Sequence, residues 1–233
     1  MTQTLLHSPS LPSALGAALS ARASRAEARD GAKPAGVLVP LRKHESGWHV
    51  ILNVRSQHVG QHRGEIAFPG GRLEPDDADM TACALRETWE EMGIRPQDVE
   101  VLGSLDAMLT RTNYLVWPTV GVVPHPYTFV TNREVASVIE VPLADLLDPA
   151  NARHEGRLLP DGKVWNRQSY VSGEHLIFGA TAWILGQLVS LLRGLERAPA
   201  GALDEPPDPP ETAEARSLAA QARPERPERK ESR

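Results

Sequence analysis

Two apolar runs, Gly36–Leu41 and Trp48–Val54, stand on either side of the polar stretch Lys43-His44-Glu45-Ser46-Gly47, a pattern that predicts two strands paired about a turn. Glu65–Phe68 reads as a short strand that runs into Pro69-Gly70-Gly71. Val99–Leu109, Tyr114–Val123 and Val138–Val141 read as further strands, and Trp165–Val171 with Glu174–Ile177 as a hairpin around Ser172-Gly173. A helical period recurs at Ala82, Leu85, Trp89 and Met92, one apolar stripe on a helix with Asp79 as its N-cap and Gly93 as its stop. Pro142 through Leu147 predicts a short helix ended by Asp148-Pro149, and Gly179 to Arg193 a final one. Strands dominate the middle of the chain with helices between and after them. The expectation is an α+β domain in which helices sandwich a mixed sheet, over residues 36–195.

Outside that span the pattern changes. Residues 1–35 are expected to form an N-terminal helical segment, the Ala-, Ser- and Arg-rich stretch 12–29 lying as a surface helix over the domain. A mitochondrial transit peptide shares that composition, and the surface helix is the reading preferred here. Residues 196–233 are expected to be a disordered tail, because Asp204-Glu205-Pro206-Pro207-Asp208-Pro209-Pro210 can hold neither a helix nor a sheet.

The helix ending at Gly93 carries Glu87, Glu90 and Glu91 at i, i+3 and i+4, so their carboxylates share one face. Like charges crowded this way cost about 0.2–0.5 kcal/mol per pair in an isolated helix, and a cation relieves the cost. By angular count the apolar stripe lies opposite the acids, so the helix should pack on one side and present acid on the other. Cys83, one turn before Glu87, reads as a small packed thiol.

Composition narrows the function. The chain has 233 residues, 41% hydrophobic and 24% charged, as expected of a soluble globular protein. Its formal net charge of −5 argues against broad binding to nucleic acid. One cysteine permits no intrachain disulfide and suits a reducing compartment, so a cytoplasmic location is expected. No apolar run reaches the roughly 18 residues of a membrane span, no signal peptide is evident, and no membrane partner is expected. The eight histidines show no metal-ligand spacing.

Gly71 followed by Arg86-Glu87-Thr88-Trp89-Glu90-Glu91-Met92-Gly93-Ile94 resembles the Nudix box, whose family hydrolyses nucleoside diphosphates linked to another moiety. Thr88 occupies an apolar position of that pattern. Asp76-Asp77 stands where the pattern has its early Glu, and the gap from Gly71 to Arg86 is one residue longer. The resemblance implies a Nudix-like fold and Mg²⁺ or Mn²⁺ as cofactor. It implies Glu87 and Glu91 as metal ligands, Glu90 next, and the Gly70 carbonyl as a helper, with Arg86 orienting a carboxylate. The general base is a box glutamate or an acid from a distant loop, for which Glu134 is the candidate and Glu140 the second. A diphosphate repels an incoming nucleophile, and a divalent cation on its oxygens removes that repulsion.

The longer spacing resembles the branch of the family that cleaves coenzyme A. So does Ile51-Leu52-Asn53-Val54-Arg55-Ser56 followed by Gly64-Glu65-Ile66-Ala67-Phe68-Pro69-Gly70-Gly71, and so does Ile177-Phe178-Gly179-Ala180-Thr181-Ala182. Gly60 stands where that branch has an Arg, and His62 or Arg63 could supply the contact. Arg55, His62, Arg63 and Arg111 are the candidate substrate contacts, guanidinium groups being suited to phosphate. Three readings stay open: a coenzyme A pyrophosphatase giving 3′,5′-ADP and 4′-phosphopantetheine, a hydrolase of another nucleotide diphosphate such as ADP-ribose or a dinucleotide, and a nucleotide-binding regulator without turnover. The full set of box acids speaks against the third, and the upstream motif favours the first over the second. Homodimers occur in the family, and nothing in the sequence fixes an interface.

Overall fold

The computed structural model describes residues 6–26, 30–57, 63–158 and 164–197. His62 and the tail from residue 198 lie outside the described residues. The hairpin read from the sequence is present as β1 (Lys33–His44) and β2 (Gly47–Arg55), both strands longer than their apolar runs. β3 (Ile66–Ala67) and β4 (Gly70–Arg72) follow, then helix α2 (Met80–Met92), α1 being the N-terminal helix Leu11–Ser20. The predicted strand 99–109 is broken into β5 (Glu100–Ser104) and β6 (Met108–Leu109). Next come β7 (Tyr114–Val122), β8 (Val135–Pro142) and the short helix α3 (Leu143–Leu147). β9 (Ala152–Leu158), β10 (Val164–Ser172) and β11 (His175–Ile177) precede the last helix, α4 (Gly179–Arg197).

The main sheet has eight strands and runs β3-β2-β1-β7-β5, with β4 on β1, β6 on β7 and β8 on β2. Its centre is the parallel pair β1–β7, in register from Lys33↔Tyr114 to Leu41↔Val122, and its other pairs are antiparallel, so the sheet is mixed. A second antiparallel sheet has the order β11-β10-β9. Alternation along the central strands separates two buried faces. Val39, Leu41, Val50 and Leu52 join α1, α3 and α4 in the larger core, whereas Ile51 packs with Met92, Ile94 and Val123 beneath the end of α2. Helices therefore cover both faces, as expected for the α+β class.

α1 is shorter than the stretch 12–29. It buries Leu11, Leu15, Ala18 and Leu19, a spacing of one helical stripe. The chain after it is pinned by Asp106, whose carboxylate pairs with Arg22 and accepts from the Arg25 N–H at 2.8 Å. Among the described residues no helix is long and apolar enough to cross a membrane.

Candidate active site

α2 begins and ends as its sequence requires. The Asp79 carboxylate accepts from the Ala82 N–H at 2.8 Å, and Gly93 adopts φ 72°, its N–H bonding to Trp89 O. Its buried face is not the predicted one. Trp89 is 55% exposed, while Cys83, Ala84, Thr88, Glu91 and Met92 are buried. Two glycines cause the difference. A Cβ at Gly36 would sit 2.4 Å from Met80 O and 3.0 Å from Ala84 N, and one at Gly71 would sit 2.3 Å from Glu87 Oε1. These two side-chain-free positions, opposite each other on β1 and β4, let the helix settle on the strands with its acidic edge inward. Thr88, in the apolar position of the motif, bonds its hydroxyl back to Ala84 O at 2.6 Å and so needs no outside partner.

Glu91 is 4% exposed. Its Oε2 accepts from the Gly70 N–H at 3.2 Å and from Asn53 Nδ2 at 3.1 Å, and its Oε1 lies 4.0 Å from Arg55 Nη1. Burial pushes its carboxyl up to about 7, against the pull of the Gly70 N–H and Arg55. Burial raises Glu87 too. Glu90 sits at the exposed margin, its Oε1 3.4 Å from Arg86 Nη1. Arg86 donates to Glu87 Oε1 at 3.1 Å, to Arg72 O at 3.0 Å, and through Nε and Nη2 to the two Asp77 oxygens at 2.9 Å each. That pairing holds Asp77 below the usual carboxylate range. Of the Asp76-Asp77 pair, Asp77 is therefore the acid in contact with the box arginine. Cys83 is a packed thiol, its Sγ 3.5 Å from Gly71 O and its pKa pushed up to about 11 by burial.

The loop before β8 closes the site. Val130 N–H bonds to Met92 O and Asn132 N–H to Glu91 O, which satisfies carbonyls at the end of α2. Asn132 Oδ1 in turn accepts from the Glu134 N–H, and Glu134 O from the Ser56 N–H at 2.7 Å. The β2–β8 register shifts between Val54 and Arg55, and Arg55 Nη2 comes within 3.9 Å of Glu134 Oε2. Arg63 lies near this group, since Gly64 N–H bonds to Arg55 O. Arg111 is exposed on the turn between β6 and β7, outside this group of contacts among the described residues. Glu140 is occupied elsewhere, held by Arg42 Nη1 at 3.1 Å and by His44, whose ring meets that of His49 edge-on and that of His125 at a tilt. The sequence reading missed Asn53, a polar side chain amid the apolar run of β2.

The donors suit a hard divalent cation. Glu91 is a desolvated carboxylate bonded by the Gly70 N–H, and Glu87 occupies the space left by Gly71. Among the described residues no three carboxylate, imidazole or thiol side chains converge as a full cage. A partial cage fits an ion that keeps waters and takes phosphate oxygens as co-ligands.

The NUDIX domain family matches residues 32–162. A relative from Enterobacter sp. (strain 638), described as "Uncharacterized Nudix hydrolase NudL", is 35% identical over 163 residues, 67% of this chain and 81% of the relative. A protein of the same description from Escherichia coli (strain SMS-3-5 / SECEC) is 37% identical over 167 residues, again 67% of this chain and 81% of the relative. Among solved structures, the C. elegans Ap4A hydrolase binary complex aligns with TM-score 0.42 and 20% identity over 51% of this chain and 85% of that one. The NUDIX domain of Shewanella oneidensis NrtR complexed with ADP ribose aligns with TM-score 0.40 and 22% identity over 56% and 85%.

Proposed function

The chain belongs to the NUDIX domain family, as a Nudix hydrolase of a pyrophosphate-containing substrate, and from that premise we propose that the substrate is coenzyme A, cleaved with Mg²⁺ or Mn²⁺ to 3′,5′-ADP and 4′-phosphopantetheine. The observation that carries the divalent-ion part is the buried Glu91 carboxylate, fixed by Gly70 and Asn53 beside Glu87. The cation would be held by Glu87 and Glu91, with Glu90 and the Gly70 carbonyl as further oxygens. When bound it supplies charge neutralisation on the diphosphate and a lowered pKa for water. Arg86, fixed by Asp77, holds Glu87 in place. Arg55 offers its guanidinium to a phosphate oxygen; its Nε is buried without a hydrogen-bond partner among the described residues, a donor in need of an acceptor. Arg63, His62 and Arg111 are the further substrate contacts of this reading. Glu134 is the base: it takes the proton of the attacking water as the P–O–P bridge breaks and the leaving phosphate departs with the bridging oxygen.

Coenzyme A is favoured over other nucleotide diphosphates by the upstream motif that ends in Arg55-Ser56 and Gly70-Gly71. The hydrolase domain in this reading spans 36–195, with 1–35 an N-terminal segment and 196–233 a tail. A substrate panel of coenzyme A, dephospho-coenzyme A and ADP-ribose with each metal, products identified by mass, tests the assignment. Coenzyme A should give the highest kcat/KM. Preferred cleavage of ADP-ribose would replace it, and binding without turnover of any of them would point to a regulator.

A further inference from the structure

Asn53 is 1% exposed in the middle of β2, between Leu52 and Val54. β3 and β8 pair with the strand at this residue, Asn53↔Ala67 and Asn53↔Val138, so its side chain is not needed to satisfy main-chain groups. An apolar residue would fill such a position without loss, because a buried amide is costly unless every polar atom is paired. Only half of this one is. Nδ2 donates to Glu91 Oε2 at 3.1 Å, and Oδ1 is buried with no partner among the described residues.

Nδ2 and Oδ1 belong to one planar amide, so the orphan oxygen sits on the same rigid group that is bonded to Glu91 Oε2. It can only accept a hydrogen bond. An ionised diphosphate has no donor to give it, and a neighbouring carboxylate oxygen would repel it. A cation's water is a donor, and Mg²⁺ usually keeps several waters when bound by one or two carboxylates.

Resting on the divalent-ion reading above, we propose that Asn53 is a positioning residue with two tasks. Its Nδ2–H fixes one oxygen of Glu91 and leaves the other for the cation. Its Oδ1 accepts from a water carried by that cation. Asn53 thus acts through Glu91 and does not touch the reacting atoms.

The test compares wild-type, Asn53→Leu and Asn53→Thr full chains. Mn²⁺ affinity is read by electron paramagnetic resonance of free Mn²⁺, melting temperature in EDTA, and kcat and KM on coenzyme A. Asn53→Leu should weaken Mn²⁺ binding by about 10–100-fold, the usual cost of removing a group that orients a ligand, and lower kcat more than it raises KM. Its melting temperature in EDTA should equal or exceed the wild type's. Asn53→Thr, whose hydroxyl both donates and accepts, should recover most of the Mn²⁺ affinity. If Asn53→Leu shows no cooperative melt, Asn53→Val takes its place with the same expected result. Unchanged Mn²⁺ affinity in the apolar variant, with or without a lower melting temperature, overturns the proposal alone. Failure of the wild type to bind Mn²⁺ overturns the divalent-ion reading and this proposal with it.

Discussion

Arg86 and Asp77 meet through two parallel hydrogen bonds of 2.9 Å, and the same guanidinium reaches Glu87 Oε1 at 3.1 Å. The pair links the loop after β4 to the middle of α2, so the orientation of Glu87 depends on an acid ten residues earlier. Asp77→Ala should cost about 2 kcal/mol of stability, the scale of a lost charge-assisted contact. It should lower kcat by about 10–100-fold, as loss of a ligand-orienting group does. Arg86→Lys cannot pair with both oxygens and should show the same kinetic loss. Steady-state kinetics and denaturant unfolding measure both. The folded pKa of Asp77 is depressed, so its contribution is present above the ordinary carboxylate value and disappears as pH falls through the lower folded one.

Gly71 and Gly36 give a paired test of how the site is made. The atoms nearest a methyl group at Gly71 all belong to the end of the Glu87 side chain, which can swing away. Gly71→Ala should therefore fold with a near-normal melting temperature and lose most of its activity. At Gly36 the methyl meets main-chain atoms of Met80 and Ala84. Gly36→Ala should cost about 3 kcal/mol through overpacking, visible as a lower thermal midpoint.

Glu91→Gln keeps an oxygen for the Gly70 and Asn53 donors and removes a charge that burial disfavours. Its melting temperature in EDTA should rise by a few degrees, roughly what 1 kcal/mol gives in a domain of this size. Its kcat should fall by at least about 100-fold, since the proposed carboxylate ligand is gone. A melting temperature that falls in EDTA would mark Glu91 as structural.

The cluster at the far end of the β1–β2 hairpin sets an acid limit on stability. Burial, and secondarily the neighbouring His44, lower the His49 pKa below 6.5, against the pull of the Gly47 carbonyl, to which its Nδ1–H donates. The unfolded chain therefore binds the proton more readily, and stability falls as pH drops from about 6.5 toward the folded value. The urea midpoint should be lower at about pH 5.5 than at about pH 7.5, and His49→Gln should flatten that difference.

Local signals carried far in this chain. The β1–β2 hairpin, the capping of α2 by Asp79 and its stop at Gly93 follow from neighbours in sequence, and all are present. β9 was not legible, because Ala-Arg-His-Glu-Gly-Arg-Leu has no apolar alternation and is a strand through its pairing with β10. The face that α2 buries was misread because the apolar stripe through Trp89 is local, whereas Gly36 and Gly71, distant in sequence, decide which edge fits the sheet. The box acids were legible as a motif. The partners that fix them, Asn53, Asp77 and the loop from Val130 to Glu134, are brought in by tertiary pairing.

The most direct measurement follows the products of coenzyme A by mass spectrometry with saturating Mg²⁺, in wild type and Glu91→Gln, and again after addition of EDTA. The expected result is 3′,5′-ADP and 4′-phosphopantetheine in equal amounts from the wild type with metal, with at least about a 100-fold slower release from the variant and none in EDTA. Undiminished turnover in Glu91→Gln, or no cleavage of coenzyme A by the wild type, would contradict it.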